Sequence, residues 1–207
     1  MITLANYFSG QTIRIISFLI LQFSSSLKLQ FTFIKQTVAK SNSQSKKIPD
    51  CLTNALIAIE DRRFFQHKGI DIYSIIRALY KNITTKRLEG ASTISQQLVR
   101  NITNEREIKV KRKMKEIVFA SLLEGDFSKN EILLAYYDTY RFKNCIGIFE
   151  FCKNENYNLD DISVKWAAEI AARFKYPILQ KTNYSKYLRR VRTIEIKIST
   201  TNDSAST

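Results

Sequence analysis

The chain has 207 residues, with 33 Lys or Arg against 19 Asp or Glu; the formal net charge of +14 predicts an anionic partner, whether nucleic acid, phospholipid headgroups or a phosphorylated substrate. An apolar fraction of 44% is ample for a hydrophobic core, which argues against wholesale disorder. Only five glycines and two prolines are present, a composition that favours helices joined by short turns over a turn-rich β fold.

The N-terminal segment is apolar but interrupted. Ile13–Phe23, IRIISFLILQF, is shorter than the roughly 20 residues that a membrane-spanning helix needs. Read as one tilted segment, Ile13–Ile34 is long enough, although Lys28 then lies inside it. A membrane anchor and a buried core helix therefore both remain open, while a cleaved signal peptide is not favoured because no small-residue cleavage site stands out. We assign residues 1–47 to an anchor segment and a polar linker.

Residues 48–199 form the predicted globular domain, in which apolar residues recur at helical spacing. Glu60 borders the first apolar stripe instead of lying opposite it. That stripe consists of Leu52, Ala55, Leu56 and Ile59. Asp71 and Ser92 are the predicted caps of a second and a third helix. A long helix is predicted from about Asn104 to Gly125.

The C-terminal part continues the helical pattern. Ser128–Glu131, SKNE, has the form of a capping box ahead of an apolar run. Asp160 or Asp161 opens the next predicted helix, which runs through Trp166 to Phe174 and is stopped by Pro177. A last basic helix covers about Tyr184–Ile198, and residues 200–207 are predicted to form a disordered tail.

Three cysteines, Cys51, Cys145 and Cys152, are present without CxxC spacing, so a metal site is not expected. Cys145 and Cys152 could pair in an oxidising compartment, but three unrelated thiols are the preferred interpretation.

The stretch Ile59–Asp71, IEDRRFFQHKGID, contains acids, arginines, phenylalanines and the chain's single histidine. Desolvation can raise the pKa of a glutamate at an apolar edge, which suits a general base. The alternative is a helix end with solvated charges.

The stretch Glu89–Asn101, EGASTISQQLVRN, places a glycine before a helix N-terminus, where free amides favour anionic groups. Ser92 and Gln96 stand four residues apart, as do Thr93 and Gln97, so that each pair shares a helix face. Such groups could hold a sugar or a phosphate, although a polar surface is the common explanation.

The stretch Lys109–Glu116, KVKRKMKE, carries a charged face. Arg112 and Glu116 are spaced for an i,i+4 ion pair, and the same cations could instead hold a pyrophosphate. Lys109 and Lys113 share that face. The predicted buried stripe is Val110, Met114, Ile117, Val118 and Ser121.

In this order and spacing, the three stretches closely resemble the motifs of the family 51 glycosyltransferases, which are the peptidoglycan polymerases, over roughly Ile48–Arg192. The matching residues are Glu60, Asp61, Phe64, His67 and Gly69 in the first motif; Gly90, Ser92, Thr93, Gln96 and Gln97 in the second; and Arg112, Lys113 and Glu116 in the third. The stretch that follows, KNEILLAYYD, fits the same order.

The resemblance implies an all-α, lysozyme-like bilobal helical domain with a small membrane-associated jaw lobe, here about Asp71–Arg87. It implies polymerisation of lipid II into β-1,4-linked glycan strands with release of undecaprenyl pyrophosphate. The expected partners are lipid II, the growing glycan chain, the inner membrane and other cell-wall synthases. The catalytic domain is expected on the periplasmic or extracytoplasmic side of a bacterial inner membrane, as a monofunctional enzyme.

The resemblance also assigns roles. Glu60 is the expected general base and Glu116 the second essential carboxylate, whereas His67 is interpreted as structural. The expected substrate-binding residues are Asp61, Phe64, Ser92, Thr93, Gln96, Gln97, Arg100, Arg112, Lys113 and Lys115, the last four being cations for the leaving pyrophosphate. Some family members also use Mg²⁺ or Mn²⁺, but no metal-ligand pattern is visible here.

The C-terminal half departs from the family pattern. Where the family reads YLN, this chain has Tyr136-Tyr137-Asp138, and the following loop keeps only Gly147. Arg189–Arg192, RRVR, resembles the fifth motif. A weakened or inactive homologue that binds lipid-linked cell-wall precursors or synthases is therefore the alternative. A nucleic-acid partner is not expected, because the aromatic residues lack the interleaving typical of such surfaces.

Overall fold

The structure is a computed structural model that describes residues 2–44, 46–85, 90–105 and 110–205, without the side chains of residues 2–8 and 200–205. Within these ranges the chain forms ten α-helices, a short 3₁₀ helix at Phe64–Gln66 and one isolated antiparallel bridge between Arg141 and Ile146, but no strand. The all-α prediction is therefore confirmed. The helices are α1 (Ile2–Gln22), α2 (Ser25–Asn42), α3 (Asp50–Glu60), α4 (Ile72–Thr85), α5 (Ile94–Thr103), α6 (Val110–Asp126), α7 (Lys129–Thr139), α8 (Ile148–Asn154), α9 (Val164–Arg173) and α10 (Lys181–Ala205).

The helices group into two compact units. The first contains the described residues of 2–44 and 63–136, and the second those of 46–62 and 137–205. The N-terminal helices thus belong to the first unit, together with the second and third motif stretches.

The first unit is built on α6, against which α1 and α5 pack. Ser17 of α1 and Ser121 of α6 share a buried hydrogen bond of 2.9 Å between their hydroxyls. Phe31 of α2 stacks on Phe119 of α6 with 5.8 Å between ring centroids. The hydrogen bond attaches α1 to α6, and burial of the stacked rings attaches α2 to α6. Among the described residues, no helix has the length and apolarity needed to cross a membrane.

The second unit consists chiefly of α3, α9 and α10, which pack against one another. Leu52, Ala55 and Leu56 of the predicted α3 stripe are fully buried. An aromatic cluster adds to this core: the rings of Phe142 and Phe151 stack with their centroids 4.1 Å apart. All three cysteines are free thiols, as preferred from the sequence.

Two of the predicted helix starts are confirmed. The Asp71 carboxylate accepts a hydrogen bond of 3.1 Å from the Ser74 N–H at the start of α4. The capping box of α7 is complete, because Ser128 N–H donates to Glu131 at 2.7 Å and Glu131 N–H donates to the Ser128 hydroxyl at 3.3 Å. Both depend on groups three residues apart, which the sequence displays directly.

The other predicted caps are wrong. Thr93, not Ser92, accepts the N–H of Gln96 at the start of α5, because the Ser92 hydroxyl binds Lys113 instead. Ser163, not Asp160 or Asp161, caps α9 by accepting the Trp166 N–H.

Several predicted helix bounds also shift. Asn104 adopts a left-handed conformation with φ +54° and ends α5, so it does not start the following helix. Lys109, predicted on the charged face of that helix, lies outside the described residues. Helix α9 ends at Arg173, one residue before the predicted end at Phe174, which is its C-cap. Helix α10 continues to Ala205, into the segment predicted to be a disordered tail.

The predicted buried stripe of α6 is wrong in its first turns. Val110 and Met114 are exposed, whereas Glu116 is only 1% exposed. The face that turns inward there is the one that carries the carboxylate, because cations from the same unit neutralise it.

Candidate active site

Gly69 joins the first and second motif stretches within the first unit. Its carbonyl oxygen accepts hydrogen bonds from the Thr93 hydroxyl at 2.7 Å and from the Gln96 amide at 3.4 Å. Its φ of +84° is a conformation that side chains disfavour, and a β-carbon there would lie 2.7 Å from the carbonyl oxygen of Ala120. Only glycine therefore allows this segment to lie so close to α6.

Glu116 is the centre of a buried cluster of charges. The Arg100 guanidinium donates two hydrogen bonds to its carboxylate, at 2.7 and 2.9 Å. Lys113 Nζ donates to the same carboxylate at 3.3 Å. Arg112 Nε lies 3.3 Å from Glu116 Oε1, close enough for an ion pair but without hydrogen-bond geometry. One carboxylate thus holds three cations, and the cluster keeps a surplus of positive charge.

Lys113 connects this cluster to the second motif. Its ammonium group donates to the Ser92 hydroxyl at 2.9 Å and to the Gln96 side-chain oxygen at 2.6 Å. Because Lys113 also donates to Glu116, the side chains of the second and third motifs form a single hydrogen-bonded network. The sequence predicted that Ser92 and Gln96 lie side by side, and here one lysine binds both.

The protonation states in the cluster follow from burial and mutual attraction. Burial raises the pKa of Glu116, but the hydrogen bonds and charge of Arg100, with Lys113 and Arg112, outweigh burial and hold the pKa below its ordinary value. Hydrogen bonding to Glu116 raises the pKa of Arg100. Glu116 is therefore ionised at neutral pH, so it suits the ordering of cations better than the acceptance of a proton.

Glu60 is the last residue of α3 and belongs to the second unit. Its carboxylate accepts a short hydrogen bond from the guanidinium of Arg190 on α10, and the Glu60 side chain is 14% exposed. Lys197 of α10 also donates to the carbonyl oxygen of Ala58 at 3.0 Å. Helix α10 therefore fixes the end of α3, and the stretch resembling the fifth motif supplies the ion-pair partner of the expected base.

Several predicted substrate-binding residues have internal roles. Phe64 and Thr93 are buried, and the Thr93 hydroxyl donates to the Gly69 carbonyl. Gln97 accepts a hydrogen bond of 2.9 Å from the Tyr136 hydroxyl. Lys115 pairs with Glu105 at 2.8 Å. Asp61 is buried, and its backbone N–H caps α3 by donating to the Ile57 carbonyl.

His67 lies in the interior of the first unit. Its side chain is 1% exposed and meets the Phe64 ring edge-on, with 6.1 Å between the ring centroids. This burial is consistent with the structural role expected from the sequence.

A further buried carboxylate, Glu124, was missed by sequence reasoning. Ser95 donates to it at 2.5 Å and Lys129 at 2.7 Å. The ammonium of Lys129 also lies 4.2 Å from the centroid of the Phe64 ring. This group ties α5, α6 and α7 to the first motif, and no sequence signal marks it, because Glu124 stands among the final residues of an ordinary charged helix.

Asp138, which replaces the family asparagine, is paired. Lys46 Nζ lies 2.7 Å from its carboxylate and 4.7 Å from the centroid of the Phe149 ring. Gly147 has a φ of +88°, and a β-carbon there would lie 2.9 Å from the carbonyl oxygen of Asp138. The one glycine retained in this loop is thus required for the close packing of the fourth-motif region.

The described side chains offer no ready-made group of ligands for a metal ion. In the part of the chain that the structure describes, no three His, Cys, Asp or Glu side chains come together as ligands. Glu116 and Asp138 are already paired with cations. A requirement for Mg²⁺ or Mn²⁺ stays a prediction.

Comparison with known proteins covers most of the chain. The transglycosylase family model matches residues 28–197. Penicillin-binding protein 1A of Clostridium botulinum (strain Langeland / NCTC 10281 / Type F) is 35% identical over 167 residues, which are 74% of this chain and 20% of that protein. Penicillin-binding protein 1A of Rickettsia conorii (strain ATCC VR-613 / Malish 7) is 30% identical over 195 residues, which are 90% of this chain and 24% of that protein. The chain thus spans between a fifth and a quarter of these curated relatives.

Proposed function

The chain belongs to the transglycosylase family, and from this premise we propose that it polymerises lipid II into β-1,4-linked glycan strands and releases undecaprenyl pyrophosphate. The observation that carries the proposal is the Glu116 cluster, which joins the second and third motifs into one cationic network. Such a network suits a pyrophosphate leaving group better than it suits a neutral sugar.

In the proposed reaction, the 4-hydroxyl of lipid II attacks the anomeric carbon of the growing chain. The Glu60 carboxylate takes the hydroxyl proton as the new C–O bond forms. The bond from the anomeric carbon to the pyrophosphate breaks, and its electron pair leaves with the pyrophosphate lipid. Attack from the opposite face converts the α linkage into a β linkage. The ion pair with Arg190 restrains the Glu60 side chain before the reaction.

The leaving pyrophosphate accumulates negative charge, which Arg100, Arg112 and Lys113 neutralise. Glu116 spaces these cations and limits their mutual repulsion, since it contacts all three. In this proposal Glu116 orders the site and takes no proton, in keeping with the lowered pKa of its carboxyl group.

We also propose that α4 docks the first unit onto the bacterial inner membrane, from the extracytoplasmic side, where the lipid-linked substrate resides. This helix leaves an apolar face exposed, and exposed apolar residues beside lysines and arginines suit an interfacial helix. The exposed apolar residues are Tyr73, Ile75, Ile76, Leu79, Tyr80 and Ile83. Lys86 and Arg87, which complete the predicted jaw, lie outside the described residues.

Replacing Ile76 and Leu79 together by glutamate should weaken binding to vesicles that contain anionic phospholipid by at least about tenfold, because each substitution removes burial of a large apolar side chain. Co-sedimentation with vesicles measures the effect. Ile196→Glu with Leu188→Glu provides a matched control, since both residues are exposed on α10. Equal losses in the two double variants would contradict docking through α4.

The proposed activity is tested by incubating the wild-type chain with labelled lipid II. We expect polymer that a muramidase degrades, together with released undecaprenyl pyrophosphate. Asp138 favours the alternative of a binding homologue only weakly, because Lys46 already neutralises the added carboxylate. Saturable binding of lipid II without any polymer would establish that alternative and overturn the proposed activity.

A further inference from the structure

A cavity in the first unit lies between α1, α2 and the C-terminal turn of α6, and it shares no lining residue with the Glu116 cluster. Its volume is about 640 Å³, within the range of about 300–1,000 Å³ typical of ligand sites. Its lining includes the buried side chains of Leu21, Phe31 and Leu122. Ile15 and Phe18, which are exposed, extend the apolar wall to the surface.

The polar part of this lining is cationic. Arg14, Lys28 and Lys35 line the cavity together with a single carboxylate, that of Asp126. Lys35 lies 2.8 Å from Asp126 and neutralises it. Lys28 donates to the neutral amide of Gln22, at 3.0 Å. Among the described residues, no carboxylate pairs with Arg14 or Lys28, so the cavity presents two uncompensated positive charges.

Arg14 is held against α6. A β-carbon at Gly125 would clash with the Arg14 guanidinium, so this glycine makes the room that the guanidinium occupies. The hydrogen bond between Ser17 and Ser121 fixes α1 against α6 one turn further along α1. The Arg14 guanidinium thus lies in the space over Gly125, beside the apolar wall of the cavity.

We propose that this cavity binds an anionic membrane phospholipid, with an acyl chain against Phe18, Phe31 and Leu122 and the headgroup phosphate at Arg14 and Lys28. The apolar wall accounts for the chain, and the two unpaired cations account for the phosphate. A zwitterionic lipid carries a cationic headgroup beside its phosphate and fits two positive charges less well. The site goes beyond glycosyl transfer, because it gives the N-terminal helices a lipid ligand of their own.

Calorimetric titration of the full chain with dihexanoylphosphatidylglycerol, below its critical micelle concentration, tests the proposal. We expect saturable binding that is about tenfold tighter than that of dihexanoylphosphatidylcholine, since the latter loses much of the electrostatic attraction. Glycerol phosphate should bind at least about tenfold more weakly, because it lacks the chains that bury apolar surface. Equal affinity for the two lipids, or for glycerol phosphate and the anionic lipid, would overturn the proposal.

Variants locate the site. Arg14→Gln with Lys28→Gln should weaken binding of the anionic lipid by about tenfold, because both charge contacts are lost. Lys175→Gln with Lys186→Gln removes the same charge from exposed positions of the second unit and should leave the affinity unchanged. Thr32→Trp, an exposed position on the cavity lining, should block entry while Arg14 and Lys28 remain. Circular dichroism checks that each variant is folded. Similar affinities in all three folded variants would overturn the assignment to this cavity.

Discussion

Glu60→Gln should lower the rate of lipid II polymerisation by a factor of about 10² to 10⁴, the usual contribution of a general base. The amide keeps the size of the side chain and a hydrogen-bond acceptor for Arg190, but it cannot take the proton of the attacking hydroxyl. Binding of lipid II should change little, because the proposed contacts to pyrophosphate involve other residues. Single-turnover kinetics on preformed complexes separates this chemical step from binding.

Glu195→Gln provides a matched control for this experiment, since it makes the same chemical change on α10, the helix that holds Glu60 through Arg190. We expect polymerisation by this variant at close to the wild-type rate. Glu60→Gln should unfold at a lower temperature than wild type, because Arg190 loses its carboxylate partner, so the rates are compared well below that temperature. Polymer formation by Glu60→Gln at the wild-type rate would show that another group accepts the proton.

Local hydrogen bonding explains which elements the sequence predicts well. The capping box at Ser128 and Glu131 and the cap at Asp71 involve groups three residues apart, so sequence spacing alone identifies them. Ser92 has the same local chemistry, but Lys113, 21 residues further along the chain, takes its hydroxyl. Sequence spacing cannot reveal such competition, because it is settled by tertiary packing.

The candidate site shows the same division. The pairing of Arg112 with Glu116 is visible from their i,i+4 spacing, whereas the two hydrogen bonds from Arg100 span 16 residues and depend on how α5 packs on α6. Hydropathy placed Val110 and Met114 inside because a glutamate alone is costly to bury. The three cations that pair with Glu116 offset this cost, so the glutamate is buried and the two apolar side chains are exposed.

Long-range pairs were inaccessible to sequence reasoning for the same reason. Lys46 and Asp138 stand 92 residues apart, and Glu60 and Arg190 stand 130 residues apart. The motif resemblance correctly indicated the family, but a motif gives residue types and order without partners. The ion pairs that restrain Glu60 and neutralise Asp138 therefore emerge only from the fold.

Glu116→Gln should destabilise the chain by about 3 kcal/mol at neutral pH, because it leaves three neighbouring cations without their shared carboxylate. This loss of stability is at the lower end for breaking a buried ion pair, since Arg100 and Lys113 are partly exposed. Polymerisation should also fall, because the cations lose their spacing. Glu105→Gln removes a surface partner of Lys115 and should cost less than about 1 kcal/mol, as measured by urea unfolding.

The difference in unfolding free energy between wild type and Glu116→Gln depends on pH, and this dependence separates the effect of charge from that of packing. The folded state holds the pKa of Glu116 below its ordinary value of 4.5, so its ion pairs stabilise the chain fully above that value. As the pH falls through the lowered folded pKa, Glu116 becomes protonated and this stabilisation is lost. The stability gap between wild type and Glu116→Gln should therefore be largest near neutral pH and shrink in acid. A gap that stays constant down to acid pH would mean that the glutamine is destabilising through its shape, and that the cations do not depend on the charge of Glu116.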